Sequence, residues 1–158
     1  MRRLYAALLA ALLAAAPATA QLRPIGHVTT TDGSRVEVAL RDSRDVDVIQ
    51  TGGESVRAWT VTPGEAQSLA EAMHDFARIA DGRANATRVS AAYVWPELIE
   101  RNRLPPKSEL QFRAERQSDK GILYAVELAL PGSRALASTL TRRDWQALAT
   151  LLSRASRR

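Results

Sequence analysis

The chain has 158 residues, no cysteine, and 22 Lys and Arg against 17 Asp and Glu, for a formal charge of +5. Without cysteine there are no disulfides and no thiolate metal ligands, so any fold is held by its hydrophobic core. The two histidines, His27 and His74, form no His-x-x-x-His pair and offer no zinc site.

Residues 1–20 have the three-part layout of a secretory signal peptide: basic Met1–Arg3, apolar Leu4–Ala16, then Pro17 and the small residues Ala18–Thr19–Ala20. The apolar run of thirteen residues is short of the roughly twenty that a spanning helix needs. The expectation is a Sec-type leader cleaved after Ala20. That leaves 138 residues in the periplasm or outside the cell, with no transmembrane segment. No cysteine follows the cut, so lipid anchoring is not expected.

The remaining sequence alternates with a period of two before it turns helical. Residues 26–31 predict a short strand, and Asp32–Gly33 a hairpin turn. Arg35–Leu40 sets Val36, Val38 and Leu40 on one face, and Asp45–Gln50 sets Val46 and Val48 against Asp45 and Asp47. Thr51–Glu54 is the next turn, and Ser55–Val61 predicts a fourth strand. Thr62, Pro63 and Glu65 then compose a capping box. Behind it Ala66, Leu69, Ala70, Met73, Phe76, Ala77 and Ala80 recur at helical spacing, and Asp81–Gly82 predicts the helix stop.

The second half follows the same plan. Thr87–Trp95 alternates, residues 96–108 form an insertion with one helical turn at Glu97–Arg101, and Glu109–Gln117 and Ile122–Leu130 predict two long strands. Pro131–Ser133 is a turn and Arg134–Leu140 the last strand. Thr141 caps a final helix with Asp144 three residues on, and Trp145, Leu148, Ala149, Leu152 and Ala155 form its apolar stripe. At an offset of 79, Thr60, Thr62, Gln67, Leu69 and Ala70 recur as Thr139, Thr141, Gln146, Leu148 and Ala149.

The expected fold is therefore α+β: two pseudo-repeated ββββα units, 21–82 and 83–158, packed as one domain. Each is an antiparallel meander followed by a helix. This order of elements resembles the Whirly-type single-strand-binding architecture in topology alone. No residue is carried over from that family, and nucleic acid is not an expected partner for an exported chain.

Catalytic signatures are missing. There is no Gly-x-Ser-x-Gly, no phosphate-cradling glycine loop and no assignable acid–base pair. Asp42, Asp45 and Asp47, with Glu37 nearby, lack the glycine and closing glutamate of a calcium loop and read as a solvated turn. No cofactor is expected. Charge is unevenly divided: Gln21–Gly82 carries ten acidic and six basic residues, Arg83–Arg158 seven acidic and fourteen basic.

Two groups of residues are candidates for partner contact. One is Trp95, Arg101, Arg103 and Lys107 in the insertion, where the last two flank Leu104–Pro105–Pro106. The other is Arg142 and Arg143, which sit at the start of the last helix against its dipole. The expected function is that of a small exported, non-enzymatic binding or accessory protein that docks another envelope protein. The alternatives are an anionic polymer or membrane surface bound by the basic second half, and an unrecognised hydrolase.

Overall fold

The computed structural model describes residues 22–52, 55–83, 86–119, 121–129, 131 and 137–158. The leader lies outside the described residues, as do parts of the turns at Thr51–Glu54 and Pro131–Ser133 and the start of the last expected strand. The first sheet is formed by β1 (Arg23–Thr29), β2 (Arg35–Leu40), β3 (Val46–Gly52) and β4 (Ser55–Val61), antiparallel in sequence order. Helix α1 (Pro63–Gly82) follows. The second sheet contains β5 (Arg88–Tyr93), β6 (Glu109–Gln117), β7 (Gly121–Ala129) and β8 (Ala137–Thr141) in the same antiparallel order. A short helix, α2 (Pro96–Arg101), interrupts β5 and β6, and α3 (Arg142–Ser156) ends the chain. The two ββββα units are thus present. No described helix is long and apolar enough to cross a membrane.

Local chemistry explains the boundaries. Thr62 and Thr141 are both extended N-caps whose hydroxyls accept from the backbone N–H three residues on, and at Thr62 the capping box is complete. β1 begins three residues earlier than the alternation suggests and ends at Thr29, because the turn already starts at Thr30. There Thr30 N–H donates to Ser34 O, Gly33 N–H to Thr30 O, and the Asp32 carboxylate accepts from Ser34 N–H. Gly33 supplies the positive φ of 85°. α1 ends at Gly82, where the sequence places its stop, but not through a left-handed glycine: Arg83 is the C-cap, at φ −97°, and its N–H bonds Ile79 O at 3.2 Å.

Each sheet has one apolar face, and the register aligns it. Val28, Val36, Val38, Leu40, Val46, Val48, Trp59 and Val61 point inward from the first sheet. Val89, Phe112, Ala114, Tyr124, Val126 and Leu140 do so from the second. One helix cannot cover such a face, and the helices share the task. α3 packs on β1, β2 and β3 of the first sheet as well as on β7 and β8 of its own, while α1 packs on β4 and β6. The two helices are antiparallel neighbours, tied at one end by Asp81 to Arg142 and at the other by Gln67 to Ser153 and Ser156.

Both expected helical stripes are buried in a single core with both sheets. Trp145, fully buried, stacks on Tyr124, meets Phe76 and Phe112, and donates its indole N–H to Met73 O at 2.9 Å. Trp59, whose environment the sequence leaves open, is core.

The strands that lead into α1 and α3 each meet the opposite unit. On β8, Thr139 O accepts from Thr31 N–H at 2.8 Å. On β4, the equivalent Thr60 is held by the side chain of Asn102, which accepts from Thr60 N–H at 2.6 Å and donates to Thr60 O at 2.8 Å. Inside, Gln50 of β3 donates to Ser138 of β8 at 2.6 Å.

α3 comes close to β1 at position 26: a Cβ there would lie 2.6 Å from Leu151 Cδ2, so the Leu151 side chain would have to shift. Gly26→Val is expected to cost about 1–3 kcal/mol by overpacking. Adding Leu151→Ala should return part of that loss, so chemical denaturation of the two single variants and the pair is expected to show favourable coupling.

Candidate functional site

The register brings Arg23, Leu40, Val46 and Val61 into one row across the first sheet. The start of β1, the β2–β3 turn and the exit of β4 therefore share one end of the molecule. β4 passes through Thr62 into α1 at that end, and the antiparallel helix pair brings the last turn of α3 beside it. Between Leu22–Pro24, Leu40–Asp42, Arg44 and Arg158 lies a cleft of about 720 Å³. A second, of about 430 Å³, is lined by His74, Thr150, Ser153, Arg154, Arg157 and the same Arg158.

The first cleft is set by the β2–β3 turn. Arg41 N–H donates to Asp45 O at 2.9 Å, Arg44 N–H to Arg41 O at 3.0 Å, and Ser43 Oγ to Asp45 at 3.0 Å. Arg44 closes the turn at φ 71°, in the left-handed region. Arg41 Nε donates to both oxygens of Asp47 at 2.9 Å, and Thr60 Oγ1 donates to one of them at 2.7 Å. Asp47 is 2% exposed, so the reading of Asp42, Asp45 and Asp47 as one solvated cluster is corrected. Asp42 is exposed, Asp45 serves the turn, and Asp47 is an internal anchor. Its burial is sustained by a guanidinium and a hydroxyl. Among the described residues no three His, Asp or Glu come together to hold a metal ion.

Arg23, Arg44 and Arg158 are exposed and have no ion-pair partner among the described residues. The cleft thus presents four arginines, one already paired, against Asp42. Arg154 and Arg157 complement the negative C-terminal end of α3. That explanation does not extend to Arg23 or Arg44, which lie on a strand and a turn. The site draws on both halves of the chain. In the sequence Arg23, Arg41 and Arg44 look like ordinary solvated charge at a strand end and in a turn. The one local signal is an arginine where the turn favours Gly or Asn.

The residues singled out from sequence do not form one patch. Trp95 is half-buried, packs against the core and lies beside Tyr93. Arg101 is paired with Glu65, whose carboxylate also accepts from Thr62 N–H at 2.7 Å. At the far end of α1, Arg142 pairs with Asp81 at 2.6 Å, which relieves its position at a helix N-terminus. Asp81 also accepts from Tyr124, whose hydroxyl is pushed above its usual pKa by burial first and by that carboxylate second. Glu65 and Asp81 are separated by about 24 Å of helix. Arg143 is exposed, with no ion-pair partner among the described residues. Arg103 and Lys107 are exposed and hold positive φ of 51° and 69°.

The insertion itself is docked, with Leu98 buried at its centre. Asn102, which the sequence did not mark, fixes it: besides its two bonds to Thr60, Nδ2 donates to Leu98 O at 2.9 Å. Through Thr60, Asn102 is connected to Asp47 and Arg41, and so to the cleft.

In class, then, this is a two-unit α+β protein with an arginine-lined cleft at the end where the two units meet. No family model matches the chain, and neither a curated protein nor a solved structure does. The likeness to the Whirly architecture rests on element order alone.

Asn102→Asp keeps the acceptor for Thr60 N–H and loses both donated bonds. It is expected to cost about 1–3 kcal/mol and to speed amide exchange at Thr60 and in α2, read by hydrogen exchange, with α3 protected as before.

Proposed function

We propose that the protein is a small non-enzymatic binding protein that works outside the cytoplasm, after loss of residues 1–20, and takes an anionic partner in the cleft that ends at Arg158. The cleft carries this reading: three exposed arginines without ion-pair partners among the described residues line a space of ligand size, and a fourth is held in place by a buried aspartate. Guanidinium groups present planar forks of donors that suit oxyanions. The partner is bound by charge and by hydrogen bonds, and release follows ionic strength.

Protein recovered from the periplasm after expression of the full chain tests both parts. N-terminal sequencing is expected to give Gln21. Retention on immobilised heparin should fall steeply with salt. Arg23→Gln, Arg44→Gln and Arg158→Gln should each weaken it severalfold, while Arg143→Gln, at the other end of α3, leaves it unchanged. Retention that ignores salt, or that depends on Arg143 and not on Arg23, Arg44 and Arg158, would remove the cleft from the account.

A second reading is favoured by the segment 103–107. Its exposed Arg103 and Lys107 hold left-handed backbone on either side of two prolines, so the segment is fixed in shape before any encounter. On this reading it docks another envelope protein. Such a complex should survive high salt and be lost in Arg103→Ala with Lys107→Ala.

A further inference from the structure

We infer that the anionic group taken by the cleft is a phosphoryl group carried on a larger molecule, and that Arg44 is held in a strained turn in order to meet it; this rests on the reading of the cleft given above. Arg23, Arg44 and Arg158 reach the cleft from a strand, a turn and the end of α3, and none has an ion-pair partner among the described residues. A carboxylate brings one charge and two oxygens. A phosphate monoester brings between one and two charges and three strong acceptor oxygens, enough to engage more than one guanidinium at once. The cleft, at about 720 Å³, is far larger than one phosphate needs, and Leu22, Pro24 and Leu40 give part of its wall an apolar character. A ligand that fills the cleft extends beyond its phosphoryl group onto this apolar wall.

Arg44 is the sharper observation. Its φ of 71° is a conformation that glycine or asparagine adopts at lower cost. Nothing in the turn requires the arginine side chain, since the closing bond to Arg41 O is made by the Arg44 backbone. Its neighbour Arg41 is already engaged through Nε with Asp47, whereas Arg44 has no ion-pair partner among the described residues. Of the three basic residues at positive φ, Arg44, Arg103 and Lys107, Arg44 is the one that lines the cleft, together with two arginines that have no ion-pair partner among the described residues.

The test compares four probes by isothermal titration or sedimentation: sodium tripolyphosphate, phosphatidylglycerol vesicles, citrate and heparin, at one ionic strength. Tripolyphosphate or the vesicles are expected to bind at least tenfold more tightly than citrate and heparin. Vesicles alone would make the source a lipid headgroup, tripolyphosphate alone a soluble phosphorylated compound, and either supports the inference. Heparin or citrate binding as tightly as the phosphates would overturn it and leave the anionic-partner reading standing. Binding of none would overturn both.

Arg44→Gly separates ligand from turn. It should melt at the same temperature or higher, because the strain is relieved, yet lose at least tenfold in phosphate affinity. Unchanged affinity in this variant would sink the assignment of Arg44.

Discussion

Everything in this fold depends on the antiparallel pairing of α1 and α3. Each meander has one apolar face, and a single helix is too narrow to close it. Small residues on α1, Ala66, Ala70 and Ala77, and Ala149 on α3 are buried within the shared core. Trp145 fills the middle, anchored through its N–H to the carbonyl of Met73 and enclosed by Phe76, Phe112 and Tyr124. The pairing lets α3 serve the sheet of the other unit, and it also decides where the surface chemistry falls. The last turn of α3 arrives beside the β2–β3 turn, so arginines 114 residues apart in sequence, Arg44 and Arg158, line one cleft.

The charges divide into those that build and those that remain. Arg41, Arg101 and Arg142 are each committed to a carboxylate, and each such contact joins elements: a turn to a strand, the insertion to α1, α3 to α1. Exposed pairs of this kind contribute little individually. Asp47 is different, since a buried carboxylate without Arg41 and Thr60 would carry a large desolvation cost. The chain of contacts from Arg41 through Asp47 and Thr60 to Asn102 links the basic turn with the insertion.

Much of the architecture is legible in the amino acids. Period-two alternation finds the strands because each sheet is half buried, and the Thr62 and Thr141 caps find both helix starts. The helix stripes match the buried residues because a helix has only one way to present them. Alternation also has a blind spot: it assigns Asp47 to the outer face, which is correct, and to solvent, which is not, because what covers an outer face is decided by elements distant in sequence. The same limit hides the site. Arg23, Arg44 and Arg158 are unremarkable until the register and the helix pair bring them together. Arg142 looks misplaced until Asp81 appears beside it. Asn102 has no local signature, since its amide pairs with a strand 42 residues away.

The dependence of the first sheet on α3 has a consequence for how the chain matures. Gln50 reaches 88 residues forward to Ser138, and the indole of Trp145 reaches 72 back to Met73. Contacts of such long sequence separation are made late, after loop closure has been opposed by chain entropy. A chain from which α3 has not yet emerged keeps β1, β2 and β3 with their valines uncovered. Completion of the fold therefore waits for α3.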